Sequence, residues 1–208
     1  KISMKKKIII TGGLGYIGTE LCKLYSGVSW HHQIIVIDNR FISERVNQIR
    51  NWNMEFVQGD ILDKELIKKY CSEADVVHHL AGVTNVPRTK SEASIHQDEK
   101  IKEVGEKGTQ NILSVISNKC KIIFPSTHVV YEGIDKVKTN IQENEATKPV
   151  LSYSSSKAVN EDQLKKSGKN YVILRLGSVY GYSTDSMRID IMPNLFSKIA
   201  SQNGTLKL

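Results

Sequence analysis

Cysteine is scarce. Cys22, Cys71 and Cys120, alone among 208 residues, are odd in number and widely spaced, and none forms a Cys-x-x-Cys pair. Neither a disulfide framework nor a zinc site is expected, and buried free thiols are the plain reading. The six histidines also lack ligand spacing: His31-His32 and His78-His79 are adjacent, and neighbours in a strand point to opposite faces. No metal site is expected. Long apolar runs are missing as well. Nothing approaches the ~18–20 residues that span a membrane, and only Ile8-Ile9-Ile10 follows the basic stretch 1–7, far short of a signal-peptide core. The expectation is a cytoplasmic protein with no membrane partner. An acidic excess is absent too: 29 Lys+Arg against 22 Asp+Glu leaves +7, which favours anionic partners. Those lysines are scattered among separate segments, as Lys5-Lys6-Lys7, Lys68-Lys69 and Lys165-Lys166 show. Scatter of this kind is solvated surface rather than a nucleic-acid stripe.

What remains is an ordinary globular composition, 39% apolar and 25% charged, at a length that suits one domain, or one domain plus part of another. Apolar, β-rich runs at 7–11, 33–38, 55–58, 75–80, 121–126 and 171–176 alternate with helical patterns at about 16–26, 44–50, 63–71, 95–118, 153–167 and 187–202. Several strands are almost continuously apolar, as strands buried on both faces must be. The alternation predicts an α/β fold, a doubly wound parallel sheet with helices on both sides. The stretch 132–152 is the longest irregular segment, a lid or a surface insertion.

Thr11-Gly12-Gly13-Leu14-Gly15-Tyr16-Ile17-Gly18 follows the first strand and opens the first helix. Glycines here let a phosphate approach backbone N–H groups at the helix N-terminus. Asp38 closes the second strand, placed to accept hydrogen bonds from an adenosine ribose. Its charge favours NAD over the 2′-phosphorylated cofactor, while Arg40 nearby leaves the latter open. Tyr153 and Lys157 stand at i and i+4, one turn apart on a helix. A free phenol is a poor base at neutral pH, with a pKa near ~10. The lysine cation, with NAD beside it, is expected to lower that value. Ser126-Thr127 ends the fifth strand at the ligand-binding edge, where Thr127 can hydrogen-bond a substrate oxygen or simply cap a turn. His128 reads as structural.

Together these motifs resemble the extended short-chain dehydrogenase/reductase family, and within it the NAD-dependent epimerases and dehydratases of nucleotide-sugars. Gly59-Asp60-Ile61, His79-Leu80-Ala81-Gly82, Gly108-Thr109, Glu161 and Arg175-Leu176-Gly177-Ser178-Val179-Tyr180-Gly181 extend the likeness to the last residue. The resemblance implies a Rossmann domain over 4–178 and the start of a substrate lobe over 179–208. It implies NAD held by Gly12, Gly15, Tyr16, Ile17, Gly18, Asp38, Asn39, Asp60, Ile61, Leu80, Ala81, Gly82, Ser126, Tyr153 and Lys157. Thr127, Tyr153 and Lys157 would be catalytic, and Thr84, Thr127 and Ser178 would touch a nucleotide-sugar. It also implies a homodimer through helices 95–118 and 153–167, with Ile101, Gly108, Ile112 and Val115 on the contact face. Departures are Gly105 and Ser178 where the family usually has Asn, and Tyr182 where it has Pro. His128-Val129 follows Thr127 where dehydratases and decarboxylases carry an acid, so epimerisation is favoured over dehydration. A reductase of small carbonyl compounds and a non-catalytic dinucleotide sensor are the rival readings.

Overall fold

The computed structural model describes residues 5–83, 94–183 and 186–206. Six strands, β1 (Lys7–Thr11), β2 (Gln33–Asp38), β3 (Glu55–Gln58), β4 (Val76–His79), β5 (Lys121–Thr127) and β6 (Asn170–Leu176), form one sheet in the order β3-β2-β1-β4-β5-β6. Every pairing is parallel. The sheet is doubly wound, as its sequence pattern predicts.

The apolar run of β1 splits between two cores. Ile8 and Ile10 pack with Cys22, Val46 and Ile49, from α1 (Tyr16–Ser26) and α2 (Ser43–Asn51). Ile9 turns the other way, toward Ile67, Ile112 and Leu164. These come from α3 (Lys64–Cys71), α5 (Gly108–Val115) and α6 (Ser152–Lys166). Each such side chain contributes about 1.5–3 kcal/mol by burial. All three cysteines are buried free thiols, as expected, and burial pushes Cys22 and Cys71 up to about 12. Among the described residues no helix is long and apolar enough to cross a membrane, and no group of three His, Cys, Asp or Glu could hold a metal.

Four expectations are corrected. The helix expected over 95–118 is α4 (Ile95–Lys102), a single π turn at Glu103–Lys107, and α5, after which Ile116 is already extended. The face expected to join two subunits is turned inward: Ile101 and Ile112 are buried, Val115 packs against the core, and a Cβ on Gly108 would lie 2.3 Å from Ile61 Cδ1. The last helix, α7, begins only at Met192, with Pro193 in its first turn, and ends at Ser201. Strand β4 is shorter at both ends than the apolar run 75–80 suggests.

The stretch 132–152 is tied down. Glu132 Oε1 accepts the amides of Val150 (2.8 Å) and Leu151 (2.7 Å) and the Ser154 hydroxyl. Those donors lie at the start of α6, whose N-cap residue, Leu151, has no side chain able to cap it. The carboxylate, nineteen positions upstream in sequence, thus fixes the two residues that lead into α6 and the Ser154 side chain in its first turn.

Candidate functional site

Strand order reverses between β1 and β4, so a crevice opens at the carboxyl ends of these strands, where open α/β sheets bind ligands. A cleft of about 520 Å³ occupies it. Gly12, at the end of β1, has φ +70, and a Cβ there would sit 2.7 Å from the backbone of Ala81. Only glycine allows the turn and the closeness of the two strand ends. Gly15 precedes α1, whose N-terminus no side chain caps. A Cβ on Gly15 would crowd Gly12 O at 3.2 Å, with Arg40 Nη2 next at 3.9 Å, so glycine keeps this end of the turn uncrowded. An uncapped helix N-terminus facing an open cradle fits a dinucleotide pyrophosphate.

A buried hydrogen-bond relay fixes the crevice. Thr109 Oγ1 donates to Gly105 O (2.7 Å), so it accepts from His79 Nε2 (3.0 Å). His79 therefore carries its proton on Nε2, and its Nδ1 accepts from Thr11 Oγ1 (2.9 Å). Thr11 in turn accepts the amide of Ala81 (3.2 Å). At the far end Asn160 of α6 donates to the same Gly105 carbonyl (3.0 Å). The π turn presents that carbonyl, and Gly105 is small because a Cβ would lie 2.5 Å from Ser156 Oγ.

On the opposite wall β5 outruns β4. The β4 ladder ends at the His78–Ile123 pair, while β6 pairs as far as Thr127. Pro125 thus lacks an N–H where no strand needs one. Its carbonyl accepts Lys157 Nζ (2.8 Å), which lies 4.4 Å from the Phe124 ring centre. Burial of the ammonium pulls Lys157 down to about 8. Tyr153 is half-buried; burial pushes its phenol up, and Arg188 partly offsets this. The expected lowering of Tyr153 by Lys157 is not seen: the ammonium is 5.8 Å from the Tyr153 ring centre and turns to Pro125.

The cleft brings together Gly12, Gly15, Tyr16, Ile17 and Gly18 on one wall, with Leu80, Ala81 and Gly82 beneath. Ser126, Thr127, Tyr153, Lys157 and Ser178 line the other side. Ser126 donates its proton to Glu161 (2.6 Å), so only its lone pairs face the cleft. Thr127 accepts the amide of Val129 (3.3 Å), capping a 3-10 turn over His128–Tyr131, and keeps its own proton. His128 bonds the Leu176 carbonyl (3.1 Å). Asp38, Asn39 and Asp60 stand outside the cleft beyond the glycine turn, where Asn39 Nδ2 donates to Asp60 Oδ2 (3.2 Å). The Ile61 side chain belongs to the core. Thr84 lies outside the described residues.

Arg188 and Asp190 line the cleft without having been anticipated from sequence. They form a two-pronged pair, Nε to Oδ1 at 3.0 Å and Nη2 to Oδ2 at 2.5 Å. Asn194 holds the segment by donating to the Arg188 carbonyl (2.7 Å) and to Tyr16 Oη (3.2 Å), and by accepting the Gly181 amide (3.0 Å). The only available signal was the Arg-x-Asp spacing, which is common on any surface.

Residues 8–208 match the sequence profile of the NAD dependent epimerase/dehydratase family. A dTDP-D-glucose 4,6-dehydratase of Dictyostelium discoideum is 30% identical over 85% of this chain and 44% of its own length. A putative UDP-glucose 4-epimerase of Methanocaldococcus jannaschii is 32% identical over 86% and 57%. The chain thus spans about half the length of these curated relatives. Among solved structures, a UDP-glucuronic acid 4-epimerase from Bacillus cereus in complex with UDP-glucuronic acid and NAD superposes with a TM-score of 0.74 at 25% identity, over 96% of this chain and 64% of that one.

Proposed function

The chain belongs to the NAD-dependent epimerase/dehydratase family, and we propose that it carries the dinucleotide-binding and proton-transfer half of a nucleotide-sugar epimerase. The observation behind this reading is the meeting of Tyr153, Thr127 and Lys157 in one cleft with the glycine turn. NAD would lie along that turn, against Leu80, Ala81 and Gly82, with Asp38 and Asp60 toward its adenosine end. When bound it supplies the two-electron acceptor and donor that the sugar carbon needs. Tyr153 takes the proton of the sugar hydroxyl and later returns it. Thr127, its proton uncommitted, donates to the same oxygen and orients it. Lys157, an ammonium close to its titration point, holds the cofactor's ribose and favours the phenolate electrostatically once the ligand draws it from Pro125. Ser178 faces the sugar's nucleotide, and residues from 179 onward begin the substrate lobe. The reading includes a homodimer.

Dehydration would need a neutral carboxylic acid to expel water. Among the described residues the one carboxyl on the cleft is Asp190, engaged as the anionic half of its pair with Arg188. That supports epimerisation. The test is calorimetric titration with NAD together with turnover of UDP-, GDP- and dTDP-sugars, assayed in a form extended over the remaining length of the relatives. Tyr153→Phe is expected to abolish turnover and to leave NAD affinity within about threefold. Lys157→Ala should weaken both, and Thr127→Ala should lower turnover by roughly 10–100-fold, toward the lower end of what a positioned proton-transfer group contributes. Undiminished activity in Tyr153→Phe would refute the mechanism, whereas NAD binding with no turnover in any form would point to a sensor.

A further inference from the structure

Asn194, in the first turn of α7, is buried, and both hydrogens of its amide are used. One goes to the Arg188 carbonyl (2.7 Å) and one to Tyr16 Oη (3.2 Å), while its oxygen accepts the Gly181 amide (3.0 Å). The Tyr16 hydroxyl places its own proton on the Gly181 carbonyl. Tyr16, Gly181, Arg188 and Asn194 thus close into one knot, which fixes the Arg188 backbone at the cleft. The guanidinium is then gripped by Asp190 at both prongs, Nε at 3.0 Å and Nη2 at 2.5 Å. A planar fork held at two points keeps one orientation. Arg188 shares the cleft with Tyr153, and each acts on the other: the guanidinium favours the phenolate, and the phenol oxygen favours the guanidinium.

We propose that Arg188 is a positioning residue for proton transfer at Tyr153, a second cation in the cleft that Asn194 holds in place and Asp190 tempers. The inference rests on the reading of Tyr153 as the proton-transfer group. Besides Arg188 and Tyr153, the titratable groups on this cleft among the described residues are Lys157 of α6, His128 beyond β5, Tyr16 of α1 and Asp190. Lys157, His128 and Tyr16 are each engaged by a backbone carbonyl, those of Pro125, Leu176 and Gly181. With Lys157 turned to Pro125, Arg188 is the cation that supports the phenolate before any ligand enters. Asp190 opposes it, because its carboxylate cancels part of the guanidinium's field while fixing its direction. Neutralising Arg188 and neutralising Asp190 must therefore move Tyr153 in opposite directions. Loss of a merely structural contact has no reason to do so.

The experiment is a carbon NMR pH titration of the chain labelled at tyrosine Cζ, without cofactor or sugar. The Tyr153 signal is the one of eight that Tyr153→Phe removes. Wild type is compared with Arg188→Gln, Arg188→Lys, Asp190→Asn and Asn194→Ala, each checked for native circular dichroism. Arg188→Gln should move the Tyr153 midpoint to higher pH and Asp190→Asn to lower pH, while Arg188→Lys, which keeps the charge, leaves it nearly in place. Asn194→Ala should move it up with Arg188 still present, which marks positioning rather than charge alone. Both charges of the pair are partly exposed, so salt should shrink the difference between wild type and Arg188→Gln, as screening acts over about 10 Å at 0.1 M. If Arg188→Gln does not fold, the sign of the shift in Asp190→Asn carries the test. A midpoint unmoved by Arg188→Gln or by Asn194→Ala, or moved the same way by both charge-removing variants, would overturn the inference and leave the proton-transfer reading standing. Undiminished turnover in Tyr153→Phe would overturn that reading and this inference with it.

Discussion

His79 shows how one buried residue can set an acid limit. Burial lowers its pKa to about 3, with Lys157 adding to the effect, and His78 falls to about 4 for the same burial reason. In the unfolded chain both return to about 6.5. Between the folded and unfolded values the unfolded state binds more protons, so stability rises with pH there and is lost as pH falls from 6.5. For His79 the loss reaches about 2–3 kcal/mol by pH 4.5. Urea unfolding at pH 7.0 and 4.5 should show a steep fall in wild type and a shallower one in His79→Gln, whose side chain does not titrate. Equal falls would remove His79 from the account. Nothing in the sequence marks this role: a histidine beside another in an apolar run has the same letters whether it is buried neutral or exposed. By contrast the tight turn at Gly12 was legible, because a positive φ beside a neighbouring strand end leaves glycine alone able to stand there. What could not be read was that Arg40 covers Asp38, since neither letter says which way a side chain folds.

At the scale of elements, strands were the most readable part, because burial on both faces forces unbroken apolar runs such as Ile8-Ile9-Ile10. Helix interruptions were the least readable. The π turn at Glu103–Lys107 inserts into a helix without a proline and without breaking the apolar rhythm, and it is fixed by contacts from α6 that sequence does not display. The start of α6 was hidden for a similar reason: a leucine at the N-cap is a poor signal, and the carboxylate that fixes the residues leading into the helix comes from Glu132, far away in sequence. Burial raises the Glu132 carboxyl, but its bonds to the Ser154 hydroxyl and the two amides win and hold it below its ordinary value. Glu132→Ala should cost about 1–3 kcal/mol, the scale of hydrogen bonds lost to a charged group. Hydrogen exchange should locate the loss in the amides of Val150 and Leu151, and Glu132→Gln, which keeps an acceptor, should recover part of it. Unchanged protection at both amides would show that the carboxylate is idle there.

For the molecule as a whole, the covering of the sheet is uneven. Among the described residues strand β6 pairs only with β5, and Tyr171, Val172 and Leu174 on it are all more than a third exposed. Its apolar letters predicted a strand correctly but gave no sign that its faces are partly open. A homodimer through α4 and α6 must use their outward sides, where Ile95 and Val159 are exposed, since the inward face is spent on the core. Light scattering at micromolar concentration should report a dimer, and Val159→Glu should convert it to monomer; a wild type already monomeric would dismiss the arrangement. The relay from Ala81 through Thr11, His79, Thr109 and Gly105 to Asn160 bears on how such a molecule takes hold of a ligand. Each hydroxyl and ring nitrogen in it has a partner and has its donor or acceptor role dictated by the next, so donation runs one way from Ala81 to the Gly105 carbonyl, which Asn160 meets from the other side. The two jaws that it joins are consequently set at a fixed gauge before anything enters. The segment that carries Arg188 takes no part in that relay and is held instead through Asn194, which bonds the Arg188 carbonyl and Tyr16.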